Sequence, residues 1–250
     1  MKNPTMVEQT NHYQQVRSSI LDFLRSVDTC TVSNAIETFN VRTRNEGFVQ
    51  DSISCRFPNL PPVAGYAVTG RIRTGAQPIA NLCYYHRVDW WQYVDSFPSP
   101  KIIVLHDADR TPGIGAFVGE IHARISSALG CVAYVTNGAV RDLPGVEKAG
   151  FQCFSSGTSV SHAYAHIIDF GEPVEIGGLK IEPGDLLHGD MHGIHTIPMS
   201  IAEELPKAVR CVLDREAELI RLCESPDFTL EKLITVLNQE LPACQPPGRR

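Results

Sequence analysis

The sequence predicts an α/β fold, and three observations support that prediction. Two short apolar runs, KIIVLHDAD at 101–109 and CVAYVTN at 131–137, enclose the amphipathic stretch AFVGEIHARISSALG at 116–130, which is the pattern of a βαβ unit. Helical periodicity marks both ends of the chain, and short strands punctuated by glycine follow Gly150. With 250 residues and 43% hydrophobic composition, the chain can bury a full core as one large domain or two small ones.

The first part of the chain predicts two helices, a strand and a third helix. Over 12–39 the apolar residues recur at helical spacing in two segments, and Thr31 or Ser33 is suited to cap the second segment. The stretch VAGYAVTGRIRTG at 63–75 has the alternation of a strand. The stretch HRVDWWQYVDSF at 86–97 predicts a helix that carries both tryptophans.

The part after the βαβ unit changes from strands to helices. Short strands are predicted in FQCFSS at 151–156, in PVEIGGLKIEPGDLLHGD at 173–190 and in GIHTIP at 193–198, before Pro198 ends that region. An apolar stripe and a further segment after Thr229 predict C-terminal helices. The resulting domain plan is a disordered tail at 1–11, an α/β core at 12–200 and a helical extension at 201–242.

Composition excludes several classes of function. The 22 basic residues are dispersed and outnumbered by 28 acidic ones, giving a formal charge of −6, so no nucleic acid partner is expected. The chain has neither an apolar signal-peptide region nor a run approaching the roughly 20 apolar residues that span a bilayer. We therefore expect no membrane contact and a cytoplasmic location. The eight cysteines form no CxxC pair, which predicts mostly reduced core residues.

Two loops flank the helix of the βαβ unit and carry the residues that suggest chemistry. The segment RTPGIGAFVGE at 110–120 is rich in glycine, and its amides, at the start of a helix predicted near Phe117, suit a small anion such as a carboxylate. Glu120 precedes Arg141 by a helix and a strand, and Asp142 follows directly. Because a βαβ unit brings successive strand-end loops to one edge of the sheet, the three side chains are expected to face one pocket.

Such a set suits a divalent cation and a developing negative charge. Carboxylate oxygens hold Mg²⁺ through few direct ligands and several waters. The neighbouring guanidinium of Arg141 can stabilise an oxyanion. Two plain alternatives stay open on the residues alone: the glycine-rich segment as a flexible connection, and NGAVRD at 137–142 as a solvated turn.

The histidines suggest a rival site. His162 and His166 are four residues apart, and HGDMHGIH supplies His188, His192 and His195, which raises the possibility of a zinc enzyme. The chain has no HExxH motif, and on a strand His192 and His195 would point to opposite faces.

Several motifs together resemble the RraA-like family, which includes the 4-hydroxy-4-methyl-2-oxoglutarate aldolases and the regulators of ribonuclease activity. The matching segments are GCVAYVTNGAVRD, GGLKIEPGDLLHGDMHGIHTIP, VDTCTVSNAIE and VAGYAVTGRIRT, together with the spacing of Glu120 to Arg141 and Asp142. The resemblance covers about residues 15–200. It implies a layered α/β/β/α sandwich with N-terminal and C-terminal helices, assembled as a homotrimer or homohexamer with sites between subunits.

The resemblance also implies an activity. Its aldolase branch is a group of class II, metal-dependent lyases that cleave small 2-oxo acids to pyruvate through an enolate, and that usually decarboxylate oxaloacetate as well. By resemblance Asp142 ligates Mg²⁺ or Mn²⁺, Glu120 contacts the metal through water, and Arg141 stabilises the enolate. The substrate carboxylate is then bound by the amides of Gly115, Ala116, Phe117, Val118 and Gly119.

Some positions depart from the family pattern. The family motif Asp-x-Asp-Gly-Val is DMHGI here, with Asp190 retained and His192 in place of the second acid, and Asn34 stands where the family has Asp. The regulator branch, which binds protein partners without needing the metal residues, is the alternative function. The resemblance further implies that the C-terminal extension reaches a neighbouring subunit and supplies an acid there. The candidates are Glu203, Glu204, Glu216 and Glu218.

Overall fold

A computed structural model describes residues 13–78 and 87–238. The predicted tail at 1–11, the first residue of the predicted helix at 86–97 and the last residues of the extension at 239–242 lie outside the described residues. No helix in the described ranges combines the length and apolar character needed to cross a membrane.

The chain alternates between helices and strands from its first described segment to its last. In chain order the elements are α1 (Ser18–Leu24), α2 (Thr29–Glu37), β1 (Ser54–Cys55), β2 (Val63–Arg73), α3 (Arg87–Asp95), β3 (Lys101–Asp107), β4 (Ala116–Val118), α4 (Glu120–Ala128), β5 (Cys131–Val140), α5 (Leu143–Lys148), β6 (Gln152–Thr158), β7 (His166–Phe170), β8 (Val174–Ile176), β9 (Leu179–Ile181), β10 (Leu186–Asp190), β11 (Gly193–Ile197), a 3₁₀ turn (Ala202–Glu204), α6 (Leu205–Glu224) and α7 (Leu230–Leu237).

One mixed sheet of nine strands organises the fold. Its main path runs β1-β6-β5-β3-β2-β10-β11. Strands β2, β3, β5 and β6 run parallel to one another, and each strand beyond them pairs antiparallel with its neighbour. The parallel pairing of β3 with β5 across α4 confirms the predicted βαβ unit. Beyond the end of β3, the short strand β4 pairs with the last residues of the same strand β5.

Three apolar clusters hold layers onto this sheet. Helices α3, α4 and α5 cover the face that carries Ile103, Leu105 and Tyr134. The β8–β9 hairpin covers the opposite face, on Val104 and Val135. Helices α1, α2 and α6 pack where β2 meets β10 and β11. The predicted α/β class is confirmed, and the layered arrangement follows from which strand residues point to which face.

The Asn137-Gly138 dipeptide does not end the strand that the apolar run at 131–137 predicts. Strand β5 continues through it to Val140, with a shift of register between Thr136 and Ala139. The side chain of Asn137 replaces backbone pairing here, because its Oδ1 accepts from the Asp107 amide at 2.7 Å and its Nδ2 donates to the Asp107 carbonyl at 3.0 Å. The dipeptide is therefore a bulge that carries β5 from β3 onto β4.

Other boundaries also differ from the predictions. Helix α2 is capped by Asp28, whose carboxylate accepts from the Thr31 amide at 2.8 Å, and not by Thr31 or Ser33. Helix α4 begins at Glu120 and not near Phe117, since 116–118 form β4. The polar stretch after Arg141 forms the short helix α5, which the sequence patterns did not reveal.

The cysteines are less buried than predicted. Cys131 and Cys153 lie in the core, Cys55 and Cys211 are half-buried, and Cys30 and Cys223 are exposed. All six are free thiols, in keeping with the expected absence of a disulfide framework in these ranges. The expectation that most of the cysteines are core residues is wrong for this part of the chain, because four of these six thiols lie at or near the surface.

Candidate active site

The structure brings the segments of Glu120, Arg141 and Asp142 together at the carboxyl edge of the sheet. Val118 of β4 lies in register with Val140 of β5, so the residues that follow both strands emerge side by side. The Arg141 amide donates to the Val118 carbonyl at 3.1 Å, which fixes the two segments against one another. Glu120 then opens α4 and Asp142 opens α5.

Two glycines make room for the two carboxylates. A Cβ atom added at Gly119 would lie 2.5 Å from Asp142 Oδ2, and one added at Gly145 would lie 2.3 Å from Glu120 Oε2. Contacts this short are not tolerated, so any side chain at either glycine would displace an acid. The absence of side chains at these two positions therefore permits the carboxylates of Glu120 and Asp142 to lie where they do.

Each carboxylate is also paired with an arginine. Arg141 Nε donates to Asp142 Oδ1 at 3.3 Å, and Arg124 donates to Glu120 Oε1 from Nε at 2.9 Å and from Nη2 at 2.7 Å. The acids keep 45% and 40% of their side-chain surface exposed, for Asp142 and Glu120 respectively. They are thus held by protein contacts on one oxygen while still accessible to a ligand.

The backbone of Asp142 is in a left-handed conformation, with φ 55° and ψ 37°. This region costs a residue with a side chain about 1–2 kcal/mol relative to the ordinary helical region. Asp142 occupies the N-cap position of α5, yet its side chain makes no capping hydrogen bond. An aspartate at an N-cap normally stabilises the helix by accepting such a bond. Here the carboxylate instead points toward Gly119 and Arg141.

The glycine-rich segment at 110–120 is held by hydrogen bonds to residues that no sequence motif indicated. The Gly113 amide donates to Asp107 Oδ2 at 2.8 Å, the Gly115 amide to Thr74 Oγ1 at 3.2 Å and the Ala116 amide to the Ser161 carbonyl at 2.9 Å. Burial raises the pKa of the Asp107 carboxyl, although the hydrogen bonds that it accepts from the amides of Gly113 and Asp109 work in the opposite direction. Of the five amides predicted to bind a carboxylate, those of Gly115 and Ala116 are therefore engaged within the chain.

The remaining amides of that set belong to Phe117, Val118 and Gly119. The side chains of Phe117 and Val118 are buried in β4, and Gly119 is the N-cap of α4. The first amides of a helix have no partner within the helix and lie at its positive end. An anion at this position would thus meet the amides at the start of α4, three residues later than the sequence suggested.

The three histidines of the rival zinc site do not converge. His188 and His195 are buried partners on β10 and β11, with His188 Nδ1 3.0 Å from His195 Nε2. His192 lies in the connecting turn with 51% of its side chain exposed, and its Nδ1 is 3.2 Å from Asp190 Oδ1. Across the described ranges, no group of three or more His, Cys, Asp or Glu side chains is arranged to hold a metal ion. The geometry therefore does not support the hypothesis of a zinc enzyme.

Asp190, which matches the first acid of the family motif, links the β10–β11 turn to α2. Its carboxylate accepts from the Thr29 amide at 2.8 Å, the Thr29 hydroxyl at 2.7 Å and the His192 amide at 2.8 Å. Burial works to raise the pKa of Asp190, but these donors outweigh it and the pKa lies below its usual value. Asp190 is held as a structural anion, and His192 adds to its hydrogen bonds.

Three of the four C-terminal glutamates that are candidates for a neighbouring subunit's site make contacts within their own chain. Glu203 Oε2 accepts from Arg17 Nε at 2.7 Å, Glu216 Oε1 from Asn34 Nδ2 at 3.2 Å and Glu218 Oε2 from Arg215 Nη1 at 3.2 Å. Asn34, which replaces the family aspartate, thus contacts the C-terminal extension. These contacts do not single out one acid for a neighbour's site.

The donor set at the sheet edge fits a hard divalent cation. Asp142 and Glu120 offer carboxylate oxygens, which Mg²⁺ and Mn²⁺ prefer over nitrogen or sulfur. Mg²⁺ commonly keeps several waters and uses only one or two protein carboxylates. Two partly exposed carboxylates are thus a donor set of the size that Mg²⁺ uses in proteins.

Comparisons with known proteins identify the family of the chain. The RraA-like family described as Aldolase/RraA matches residues 29–195. A protein of Halalkalibacterium halodurans named "Putative 4-hydroxy-4-methyl-2-oxoglutarate aldolase" is 31% identical over 121 residues, which are 48% of this chain and 57% of that protein. The chain thus matches little more than half the length of this curated relative.

Two solved structures share the fold. An uncharacterized protein from Pseudomonas syringae pv. tomato str. DC3000 aligns with a TM-score of 0.70 and 25% identity, covering 89% of this chain and 96% of its own. Streptomyces coelicolor RraAS2, described as an unusual member of the RNase ES inhibitor RraA protein family, aligns with a TM-score of 0.62 and 19% identity, covering 85% and 100%. Since the family match spans well over half of the chain and an RraA protein has the same fold, the chain belongs to the Aldolase/RraA family.

Proposed function

We propose that the protein is a divalent-metal-dependent lyase that cleaves small 2-oxo acids and releases pyruvate. The observation that carries the proposal is the conformation of Asp142: a strained, left-handed aspartate whose carboxylate is not used to cap its helix and lies beside Arg141 and Gly119. Strain of this kind persists only where the surroundings enforce it, and it concentrates at functional sites. The identity to a protein named as an aldolase supports the same reaction class.

The residues at the sheet edge suit the charge that such a reaction develops. Cleavage of the bond between C3 and C4 of a 2-oxo acid leaves its electron pair on C3, delocalised onto the 2-oxo oxygen as an enolate. The guanidinium of Arg141 stabilises the negative charge on that oxygen. Asp142 and Glu120 would hold the divalent cation, which supplies Lewis acid polarisation of the 2-oxo group when bound. In a 4-hydroxy substrate the C4 hydroxyl gives up its proton to solvent as the C3–C4 bond breaks and C4 becomes the carbonyl carbon of the second product. In a substrate whose C4 is a carboxylate, C4 leaves as carbon dioxide. Protonation of C3 by solvent then gives pyruvate.

The substrate class follows from the same arrangement. The amides at the start of α4 suit the 1-carboxylate that every 2-oxo acid carries. Two substrates satisfy these requirements: 4-hydroxy-4-methyl-2-oxoglutarate, for which cleavage of the C3–C4 bond yields two pyruvates, and oxaloacetate, for which it yields pyruvate and carbon dioxide. The class II aldolase and oxaloacetate decarboxylase activities are part of the proposal.

Pyruvate release tests the proposal directly. We expect purified protein to release pyruvate from at least one of these acids with Mg²⁺ or Mn²⁺, and EDTA to abolish the activity until metal is restored. Arg141→Ala should lower kcat/KM by about 100-fold or more, as removal of a transition-state donor does. Asp142→Asn should also lower kcat/KM, because it replaces a charged oxygen ligand of the cation with a neutral one. Asparagine also accepts the left-handed conformation, so the Asp142 variant should fold.

A control variant and two contrary results complete the test. Arg25→Ala, at the end of α1, removes an exposed arginine that pairs with Asp22 and should leave activity unchanged. Lack of pyruvate release from every 2-oxo acid tested, or activity indifferent to EDTA and to Arg141→Ala, would overturn the lyase in favour of the protein-binding regulator.

We further propose that the protein assembles as a homotrimer or homohexamer, in which the C-terminal extension packs on a second copy of the chain. Helix α7 supports this, because none of its side chains is fully buried within the chain while Leu230, Ile234 and Leu237 form an exposed apolar row. Location in the cytoplasm stays a prediction from the sequence.

A further inference from the structure

We propose that Arg124 is a positioning residue, which orients the carboxylate of Glu120 for the reaction. The inference rests on the proposed lyase function, and it assigns a role to a residue that neither the spacing of the acids nor the family match singles out. Arg124 lies one helical turn after Glu120 on α4. It touches Glu120 and is not placed among the groups that meet the substrate.

The geometry of the contact restricts Glu120 to one orientation. Both Nε and Nη2 of Arg124 donate to the same oxygen, Oε1, at 2.9 Å and 2.7 Å. The other oxygen, Oε2, is thereby turned toward Gly145 in the first turn of α5, where an added Cβ would approach it to 2.3 Å. One carboxylate oxygen is held by the arginine and the other faces the helix that Asp142 opens.

The arrangement around Asp142 is of the same kind. Arg141 donates to Asp142 Oδ1, while Asp142 Oδ2 lies over Gly119, where an added Cβ would approach to 2.5 Å. Each acid of the candidate site is thus held between an arginine on one oxygen and a glycine beneath the other. The repetition at both acids indicates that the arginine contact belongs to the construction of the site and is not an incidental surface pair.

Stability does not account for the Arg124 contact. The side chains of Arg124 and Glu120 are 49% and 40% exposed, and exposed ion pairs contribute little to folding. Orientation is a different matter, because residues that fix a metal-binding side chain affect metal affinity and rate far more than they affect folding. A loss of function without a loss of stability therefore distinguishes a positioning residue from a structural one.

The test compares three substitutions of arginine in the full-length protein. Arg124→Gln removes the charge and cannot make the paired contact, whereas Arg124→Lys retains one charged donor. Arg25→Gln is the matched control, because Arg25 also pairs with an exposed carboxylate one helical turn away, that of Asp22. For each variant, kcat and KM for oxaloacetate are measured with Mn²⁺. The Mn²⁺ affinity of the substrate-free protein is measured separately, from the electron paramagnetic resonance signal of free Mn²⁺.

We expect Arg124→Gln to lower kcat and weaken Mn²⁺ binding, each by about 10-fold, which is the usual loss when an outer residue of a metal site is removed. The KM and the thermal midpoint should change little. Arg124→Lys should recover most of both losses, and Arg25→Gln should match the wild type.

Three results would overturn the inference: wild-type kcat and Mn²⁺ affinity in Arg124→Gln, a lower midpoint that explains the loss, or wild-type protein that binds no Mn²⁺. Failure of the proposed function gives a separate result, namely wild-type protein that binds Mn²⁺ but cleaves no 2-oxo acid. In that case the Mn²⁺ affinities decide on Arg124 by themselves. Weaker binding in the Gln variant and recovery in the Lys variant support the positioning role, and equal binding in all variants contradicts it.

Discussion

His188 and His195 show how single residues set the conditions under which the fold is stable. His188 Nε2 lies 3.1 Å from the Val27 carbonyl, so the neutral ring carries its proton there and its Nδ1 is an acceptor. His195 Nε2 then donates to that Nδ1 across the 3.0 Å contact. Burial lowers the pKa of His188 to about 4, and burial together with the facing His188 lowers the pKa of His195 well below its usual value.

The pair predicts loss of stability in mild acid. The unfolded histidines take up protons near their ordinary pKa of about 6.5, whereas the folded ones do not, so the unfolded state binds more protons as the pH falls. The contribution of this pair to the free energy of unfolding should therefore be constant well above pH 6.5 and fall as the pH is lowered from there toward about 4, where the His188 pKa lies. Each group contributes a slope of at most about 1.4 kcal/mol per pH unit. Urea unfolding at a series of pH values measures this.

Variants of single histidines separate the pair from other titrating groups. His195→Gln keeps a donor toward His188 but does not titrate, so it should reduce the slope between pH 6.5 and 4. His162→Gln replaces an exposed histidine in a loop and should leave the slope unchanged. An equal slope in the wild type and the His195 variant would contradict the assignment.

At the level of elements, the bulge at Asn137 joins two strands to one side of β5. Residues up to Thr136 pair with β3, and Ala139 and Val140 pair with β4. Between them, the side-chain carboxamide of Asn137 makes hydrogen bonds to the backbone amide and carbonyl of Asp107, in place of a neighbouring strand. Asparagine suits this position because its side chain offers a donor and an acceptor together.

Asn137→Ala should therefore destabilise the protein. The substitution leaves the amide and carbonyl of Asp107 without their partner in a half-buried position, and we expect a loss of about 2 kcal/mol in the free energy of unfolding. Urea unfolding at pH 7 measures it. Asn45→Ala, at an exposed position, provides the control and should change the free energy by less than about 0.5 kcal/mol. A similarly small effect at Asn137 would show that water replaces the side chain.

The elements themselves were predictable where periodicity is strong, and their ends were not. The parallel β3–α4–β5 unit follows from apolar runs around an amphipathic stretch, because burial requires that pattern. The start of α4 was misplaced because Ala116, Phe117 and Val118 suit a buried strand as well as an apolar helix face. The continuation of β5 through Asn137-Gly138 depends on a side chain that pairs with a residue thirty positions earlier, which local turn preferences do not register.

For the molecule as a whole, the C-terminal extension is the part whose packing is least complete within one chain. Helix α6 buries Leu205, Ala208, Val209 and Val212 against the core, whereas α7 only half-buries Leu233 and Val236. A short isolated helix is marginal in water, so α7 needs packing to be stable. The proposed assembly provides it through a second copy of the chain.

Light scattering coupled to gel filtration tests that assembly. We expect a mass three or six times that of the 27.6 kDa chain. Ile234→Glu places a charge in the apolar row of α7 and should shift the mass toward that of smaller species. Lys232→Glu introduces the same side chain on the opposite side of the helix and should leave the mass unchanged. A wild-type monomer, or an Ile234 variant with wild-type mass, would contradict the proposal.

The candidate site shows the same division between what sequence can and cannot predict. The spacing of Glu120 to Arg141 and Asp142, combined with βαβ topology, is enough to place their segments together. The contacts of Thr74 and Ser161 with the glycine-rich segment join residues more than forty positions apart, and no pattern signals them. The clearance that Gly145 gives Glu120 likewise depends on how α4 and α5 pack, which only the folded chain reveals.

The placement of β3 and β4 along one side of β5 has a consequence for how this site can evolve. The residues between Asp107 and Ala116 leave the sheet and return to it beside the same neighbour, so both ends of that excursion are anchored by a single strand. Insertions or deletions there would reshape the mouth of the site while β4 and β5 keep Glu120 and Arg141 at a constant separation. Under the proposed function, the fold thus separates a segment that can vary with substrate from the strand ends that hold the candidate catalytic residues.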